Sequence, residues 1–252
     1  MIVIPMAGMS SRFFKAGYDK PKYMLSAHGA TLFEHSVNSF HMYFEDKPFL
    51  FIIRDVYNTE NFVKEMATKM GIKNFFISTL SKETRGQAET VAIGLLDFIK
   101  HHAPYLGSIT IFNIDSFRHN FTFPDIIENC DGYLEVFKGD GDNWSFAKPL
   151  KEGSTEVVLT AEKNKISDLC STGLYFFAKC DDYLDAYKKY EALPAVQWDR
   201  GELYIAPMYN IMIKEGKKIH YNLIERKEVI FCGVPSEYLD FLSQDVINNE
   251  DK

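Results

Sequence analysis

Buried strands alternate with amphipathic helices through the first half of the chain, and this alternation limits the fold more than any other feature. The predicted strands are 1–6, 49–53, 75–77 and 108–113, and the predicted helices are 31–43, 58–70 and 88–99. Parallel strands that follow one another need long crossover connections, which are usually helices. The pattern therefore predicts an α/β fold with a doubly wound, mixed but mainly parallel sheet.

Two local patterns mark the predicted helices. Thr31 and Glu34 have the spacing of a capping box, which predicts the start of the helix that runs to about Tyr43. The helix over 88–99 carries an apolar stripe that we expect to face the core. The stripe consists of Ala88, Val91, Ala92, Leu95, Leu96 and Ile99.

The second half of the chain is less regular. The predicted strands there are 131–137, 144–150, 157–161 and 172–177. The polar segment 138–143 joins the first two of these strands and is predicted to be a hairpin turn. The polar residues 248–252 are predicted to be a frayed tail.

The loop after the first predicted strand is the main candidate binding site. The small residues 7–11 follow the apolar run directly, Arg12 comes next, and Lys22 lies ten residues further on. Backbone N–H groups at the carboxyl end of a sheet bind anions, and the two cations add fixed positive charge. The sequence lacks the glycines and the Lys-Ser/Thr ending of the common phosphate and dinucleotide motifs. The pattern alone is equally consistent with an ordinary turn.

Composition narrows the class of protein. The 252 residues are 46% hydrophobic, which suits one α/β domain over 1–252 with a full core. The formal net charge of -7 argues against a nucleic-acid partner. We expect no membrane association and no secretory leader, because the chain has neither a long apolar run nor a basic leader. Four cysteines without paired spacing predict buried thiols in a reducing cytoplasm.

A family resemblance sharpens the candidate site. The run Pro5-Met6-Ala7-Gly8-Met9-Ser10-Ser11-Arg12, followed by Pro21-Lys22 and Leu25, resembles the signature of the sugar-nucleotide pyrophosphorylase type of nucleotidyltransferase. Met6 replaces the first alanine of that signature, and Ser10 replaces its second glycine. The resemblance spans most of the chain and implies a Rossmann-like fold. It also implies a nucleotide-binding half over 1–120 and an acceptor-binding half over 121–252.

The resemblance implies roles for the nucleotide half. The residues expected to contact the nucleotide are Met6, Ala7, Gly8, Met9, Ser10, Ser11, Gly86, Gln87 and Ala88. Gln87 has an amide donor and an acceptor that suit the edge of a pyrimidine. Without the resemblance, Gly86 would be read as easing a turn and Gln87 as a solvated residue at a helix start.

Asp115 is the candidate metal ligand. It follows the predicted strand 108–113 and stands where the family has a Gly-Asp pair, so the resemblance implies that it binds Mg²⁺. Read alone, it would be a turn residue. The family's second metal-binding aspartate falls at Phe231, which cannot ligate a metal.

The acceptor half contains two further matches. Glu162-Lys163 and the strand with Thr172, Gly173 and Tyr175 resemble the family's acceptor site, in which the lysine binds the acceptor phosphate and the glutamate binds polar groups. Read alone, Glu162-Lys163 would be a solvated surface pair.

The implied reaction is attack by an acceptor phosphate on the α-phosphorus of a nucleoside triphosphate, with release of pyrophosphate. Arg12, Lys22 and Asp115 are the implied catalytic residues. Arg12 and the metal are expected at the departing pyrophosphate, and Lys22 at the reacting α-phosphoryl group. In overall character, the chain is similar to the cytidylyltransferases of bacterial capsule modification. That similarity implies CTP and a phosphoglutamine-like acceptor used in phosphoramidate synthesis.

Other functions remain open on the sequence alone. The acceptor could be a sugar 1-phosphate, or phosphocholine with Trp144 or Trp198 as a cation–π wall. A different class is a glycosyltransferase that consumes a nucleotide-sugar and releases no pyrophosphate. A third is a nucleotide-binding subunit without activity, which the phenylalanine at position 231 would suit.

Overall fold

The computed structural model describes residues 1–244, and the predicted tail at 248–252 lies outside them. Within this part, the chain forms thirteen strands and seven α-helices. The strands are β1 (Ile2–Pro5), β2 (Ser26–Ala27), β3 (Ala30–Thr31), β4 (Phe49–Arg54), β5 (Phe75–Leu80), β6 (Ile109–Phe112), β7 (Ser116–Arg118), β8 (Gly132–Lys138), β9 (Ser145–Pro149), β10 (Val157–Glu162), β11 (Leu169–Phe177), β12 (Ile219–Ile224) and β13 (Val229–Phe231). The helices are α1 (Ser11–Lys15), α2 (Leu32–Val37), α3 (Thr59–Lys69), α4 (Gln87–His101), α5 (Cys180–Glu191), α6 (Met208–Lys214) and α7 (Pro235–Ser243).

One mixed sheet of nine strands organises the described residues. Its main order is β10-β9-β11-β6-β1-β4-β5, and β8 and β12 branch from β11. β6, β1, β4 and β5 pair in parallel, whereas β11 is antiparallel to β6, β8 and β9. The predicted α/β fold with a mixed, mainly parallel sheet is confirmed. Because β1 and β6 are neighbours, the loops after them open side by side at the same edge.

Alternate residues of the parallel strands face two different apolar layers. Val3 and Leu50 pack on the side that carries α4, α5 and α6. Ile4 and Phe51 pack on the other side, with the apolar residues of α2 and α3. Successive side chains of a strand point to opposite faces, so a sheet with helices on both faces needs strands that are apolar at every position. The strands β1 and β6 are buried throughout, as this arrangement requires.

The prediction of a hairpin at 138–143 is wrong. The segment joins β8 to β9, but these strands do not pair with each other. Both pair with β11, through Ser171 to Val136 in β8 and through Cys170 to Phe146 in β9. The acidic segment therefore crosses from one side of β11 to the other. A turn signal in the sequence marks a change of direction but does not identify the strand that each neighbour will pair with.

Two predicted helices differ in detail from the structure. The capping box of Thr31 and Glu34 is present, but α2 ends at Val37 and a 3₁₀ segment continues to Tyr43. Phe40 interrupts the helical geometry, with φ of -107° and ψ of 22°, while its ring is fully buried. Leu96 was predicted to face the core and is 55% exposed instead, while its neighbours Gly94 and Leu95 are buried.

The cysteines are free thiols. Cys170, Cys180 and Cys232 are buried, and Cys130 is half-buried. Burial raises the pKa of the Cys232 thiol to about 12, so it stays protonated at neutral pH. In residues 1–244, none of the helices has the length and the apolar character needed to cross a membrane.

Candidate active site

The loop between β1 and α1 is built to expose its backbone. Gly8 has open space where a side chain would project. Ser10 has a left-handed backbone with φ of 50°, and its Oγ accepts a hydrogen bond of 3.1 Å from the backbone N–H of Lys22. This bond fixes the backbone of Lys22 against the loop.

Lys22 and Asp115 form the ion pair at the centre of the site. Lys22 Nζ lies 2.5 Å from Asp115 Oδ2, and the two side chains are 20% and 23% exposed. Asp115 lies in the short connection between β6 and β7, and its carbonyl oxygen accepts a hydrogen bond of 2.7 Å from Cys232 N–H. The main chain of Asp115 is therefore fixed, while its carboxylate contacts Lys22 and lies on the wall of a cleft.

A first cleft of about 360 Å³ opens beside this pair. It brings together most of the residues that the sequence assigned to the nucleotide. Those on its wall are Met6, Ala7, Gly8, Met9, Lys22, Gly86, Gln87 and Asp115. Thr84, from the same loop as Gly86, also lines it. Arg54 lines it too, and no pattern in the sequence had marked that residue.

Three of the expected nucleotide contacts are not on the wall of the first cleft. Ala88 is fully buried on the core face of α4, and its N–H donates a hydrogen bond of 2.9 Å to Leu203 C=O. Ser10 precedes α1 and bonds to Lys22. Ser11 lies on a smaller neighbouring cavity with Phe14 and Tyr57.

A second, larger cleft of about 840 Å³ contains the residues expected to bind the acceptor. Those on its wall are Glu162, Lys163, Thr172, Gly173 and Tyr175. Arg12 also lines this cleft, although the sequence placed it with the leaving group. Gln87, Asn113 and Asp115 line both clefts, so the two cavities meet at these three residues.

An amide pair forms the boundary between the clefts. Gln87 Nε2 donates a hydrogen bond of 2.6 Å to Asn113 Oδ1. The amide of Asn113 occupies the space beside Gly173, which has φ of 88° and no room for a Cβ atom. Asn113 follows β6 directly, two residues before Asp115, and this placement at a strand end is the signal that could have identified it.

Glu162 is a buried carboxylate on the wall of the second cleft. It is 7% exposed. Ser145 Oγ hydrogen-bonds to one carboxylate oxygen of Glu162, and the same hydroxyl lies 3.0 Å from Tyr175 OH. Burial is the main cause that raises the pKa of Glu162, and it also raises the pKa of Tyr175 to about 12. The pair of tyrosine and serine therefore remains neutral and holds the carboxylate in place.

Lys163 projects into the second cleft from an unusual backbone position. It has φ of 52°, a left-handed conformation that is rare for lysine. Its Nζ donates a hydrogen bond of 2.6 Å to Tyr204 OH. The interpretation of Glu162-Lys163 as a solvated surface pair is therefore wrong, because the carboxylate is buried and the ammonium is held by a tyrosine.

Phe231 occupies an aromatic cluster beside the same cleft. Its ring centroid lies 4.9 Å from that of Trp144 and 5.6 Å from that of Phe137. The guanidinium of Arg226 lies 4.8 Å from the centre of the Phe231 ring. Packing among aromatic rings and a cation replaces the carboxylate that the resemblance would place here.

The parallel strands, the loop after β1 and the two joined clefts together form the candidate site. Comparison with solved structures gives the family. A nucleoside-diphosphate-sugar pyrophosphorylase from Vibrio cholerae RC9 is 68% identical, with a TM-score of 0.95, over 97% of this chain and 100% of that chain. The chain therefore belongs to the nucleoside-diphosphate-sugar pyrophosphorylase family of nucleotidyltransferases, which transfer a nucleotide to a phosphorylated acceptor.

More distant structures share the fold. The inositol-1-phosphate CTP transferase of T. maritima is 13% identical with a TM-score of 0.70, over 96% of this chain and 94% of that chain. A UDP-glucose pyrophosphorylase complexed with UDP-glucose is 16% identical with a TM-score of 0.71, over 96% of each chain. No family model and no curated protein matches the chain.

Proposed function

We propose that this nucleotidyltransferase is a cytidylyltransferase that joins CTP to a phosphoglutamine-like acceptor, in the modification of a capsular polysaccharide. One observation supports separate sites for the nucleotide and the acceptor. The cleft with the loop after β1 and the cleft with Lys163 meet at the ion pair of Lys22 and Asp115. Two anions bound in these clefts would have their reacting ends at this pair.

The proposed reaction is an in-line displacement. An oxygen of the acceptor phosphate forms a new bond to the α-phosphorus of CTP, and the bond from that phosphorus to the bridging oxygen breaks. The electron pair of the broken bond leaves with pyrophosphate. The attacking oxygen is already anionic, so the reaction needs no general base and depends on positioning and charge neutralisation.

Each cation has a separate role in this proposal. Lys22 stabilises the charge on the reacting α-phosphoryl group, because its ammonium lies where the clefts meet. Arg12 stabilises the departing pyrophosphate, and Lys163 holds the acceptor phosphate. Arg12 lines the second cleft, whereas an in-line reaction places the pyrophosphate opposite the acceptor. This role therefore needs the Arg12 side chain to turn toward the triphosphate when CTP binds.

The residues of the site fit a magnesium ion held mainly by its substrate. Nucleotidyltransferases of this family generally depend on Mg²⁺. Among residues 1–244, no group of three or more His, Cys, Asp or Glu side chains could hold a metal. Mg²⁺ commonly binds one or two carboxylates together with phosphates and water, and Asp115 is such a carboxylate. When bound there, the ion would supply Lewis-acid stabilisation of the triphosphate charge.

Two features support CTP. The first cleft ends against Gln87, whose amide can donate to one edge position of a pyrimidine and accept from another. The bond from Gln87 Nε2 to Asn113 leaves the Gln87 carbonyl oxygen as an acceptor for the exocyclic amine of cytosine.

The second cleft favours an acceptor with a donor group away from its phosphate. Lys163 would bind the phosphate, and the buried Glu162 would accept hydrogen bonds from an amine or an amide. A phosphoglutamine-like molecule carries these groups. Phosphocholine would instead use the ring of Trp144, which also lines the cleft. We place the reaction in the cytoplasm, where the four free thiols would stay reduced.

Pyrophosphate release tests the proposal. The chain would be incubated with Mg²⁺, with CTP, UTP, ATP, GTP or dTTP, and with L-glutamine phosphate, glucose 1-phosphate or phosphocholine. We expect release with CTP and L-glutamine phosphate. Release with another pair would correct the specificity. In a parallel incubation with a nucleotide-sugar, consumption of that compound without pyrophosphate release would favour a glycosyltransferase. Binding of CTP without turnover of any acceptor would indicate a nucleotide-binding subunit without activity.

A further inference from the structure

Tyr204 connects the two halves of the site through its neighbours. We propose that Tyr204 is a positioning residue for Lys163. We also propose that the segment 202–205 couples the position of that lysine to the loop 84–88, which is called the nucleotide loop below. The proposal rests on the proposed function, in which Lys163 holds the acceptor phosphate. The segment lies between α5 and α6 and forms no regular element.

The backbone of Lys163 is held from two sides, while its side chain depends on Tyr204. Lys163 N–H donates to Trp144 C=O at 2.8 Å, and the guanidinium of Arg200 donates to Lys163 C=O at 2.9 Å. Nζ donates to Tyr204 OH at 2.6 Å and lies 4.6 Å from the centre of the Tyr204 ring. A lysine side chain has a flexible stem of four carbons and loses much conformational entropy when it is ordered. The tyrosine supplies the contacts that order it.

The residue before Tyr204 is bonded to the nucleotide loop on both sides. Leu203 N–H donates to Arg85 C=O at 2.9 Å, and Ala88 N–H donates to Leu203 C=O at 2.9 Å. Gly86 lies between these bonds, and a Cβ atom there would stand 2.5 Å from Leu203 O and 2.6 Å from Leu203 N. The loop and the segment are in direct backbone contact, so one cannot shift without the other.

This chain of contacts predicts how binding on one side affects the other. A nucleotide that fixes Gly86 and Gln87 would fix Leu203 through the two backbone bonds. Tyr204 and the ammonium of Lys163 would then be held in the position that receives the acceptor. Because coupling between two ligands is reciprocal, a bound acceptor would raise nucleotide affinity by the same factor.

The variant Tyr204→Phe removes the hydroxyl and keeps the ring. We expect its KM for L-glutamine phosphate to rise about tenfold, as for the loss of one hydrogen bond to a charged group, while the affinity for CTP measured alone stays unchanged. Tyr221→Phe is the matched control, because Tyr221 lies on β12 and lines neither cleft. Equal acceptor KM values for Tyr204→Phe and the unchanged chain would overturn the proposal.

A double-variant cycle shows whether Tyr204 acts through Lys163. In a Lys163→Ala background, Tyr204→Phe should change the acceptor KM by less than about twofold, since the positioned group is gone. A full tenfold effect in that background would show direct contact with the acceptor and overturn the positioning role. Absence of turnover in the unchanged chain would overturn the proposed function, and this proposal with it. Normal turnover in the unchanged chain with no effect of Tyr204→Phe would overturn this proposal alone.

Gly86→Ala tests the connection between the loop and the segment. Its methyl group would push against the Leu203 backbone, and we expect the acceptor KM to rise about tenfold although Gly86 lines the nucleotide side. Circular dichroism and the unfolding temperature would show that the variant is folded. A folded variant with altered CTP affinity and an unchanged acceptor KM would overturn the coupling while leaving the role of Tyr204 intact.

Discussion

Lys22 Nζ lies 2.5 Å from Asp115 Oδ2, although 93 positions separate the two residues in the chain. The contact exists because β1 and β6 are neighbours in the sheet, so the segments after them meet at one edge. A cation and a carboxylate in contact at this point give the site two opposite charges for one substrate. The ammonium can neutralise a phosphoryl oxygen, and the carboxylate can hold a metal ion.

Removal of the ammonium should stop the reaction and spare the fold. For Lys22→Ala we expect kcat to fall about 10²–10³-fold, as for the loss of one preorganised charge-stabilising donor. The side chain is part of no apolar cluster, so the unfolding temperature should change little. Pyrophosphate release measures the effect, with Lys20→Ala as the control because Lys20 lines neither cleft. Unchanged turnover would remove Lys22 from the mechanism.

Restoring an acidic residue at position 231 should change the metal requirement. Phe231→Asp would place a carboxylate beside the second cleft, on the β13 strand that pairs with β7 next to Asp115. We expect tighter binding of Mn²⁺ in the presence of CTP, measured by electron paramagnetic resonance. We also expect a stability loss of about 1–3 kcal/mol from the aromatic cluster. Phe231→Leu separates the two effects, since it loses the ring and gains no ligand.

The buried carboxylate of Glu162 makes stability depend on pH. Burial raises its pKa above the ordinary value of 4.5, so the folded state favours the neutral form. The folding stability that comes from this raised pKa is fully present below the ordinary pKa. It is lost as the pH rises through the raised pKa. Glu162→Gln has no such titration. We therefore expect its stability relative to the unchanged chain to increase from pH 4 to pH 8.

Urea unfolding at several pH values measures that difference. Glu156→Gln is a suitable control, because Glu156 lies before β10 and outside both clefts. A difference between Glu162→Gln and the unchanged chain that stays constant with pH would show that folding does not raise the pKa of Glu162. The same variant should lose affinity for an acceptor that donates hydrogen bonds.

Gly173 should not tolerate a side chain. A methyl group there would overlap the amide of Asn113 and displace the bond from Gln87. We expect Gly173→Ala to lose about 1–3 kcal/mol of stability and to lower turnover with every nucleotide. Gly216→Ala is the control, because Gly216 also has positive φ, 80°, but has open space around it. Equal losses in both variants would attribute the effect to backbone strain alone.

The sequence predicted the parallel half of the fold well because its signals are local. The strand at 49–53 and the capping box at Thr31 depend on residues that are adjacent in the chain, and both appear in the structure. The pairing of β8 and β9 with β11 depends on a strand that comes about thirty residues later. No local pattern contains that information, and the predicted hairpin failed for this reason.

The candidate site shows the same limit. Motif positions such as Gly8, Lys22 and Asp115 lie together on the wall of one cleft, as the loop and strand order implied. Tyr204 could not be assigned to the site from the sequence, since its contact with Lys163 crosses 41 positions. Ala88 was expected at the ligand because it lies beside Gln87, but the helical turn directs its methyl group into the core.

The residues shared by the two clefts favour a particular kind of inhibitor. Gln87, Asn113 and Asp115 belong to both cavities. A single molecule that links cytidine to an acceptor mimic through a polyphosphate bridge would reach both ends of the site at once. The second end would then bind as an intramolecular event at high effective concentration, and such a bisubstrate compound should bind more tightly than either half.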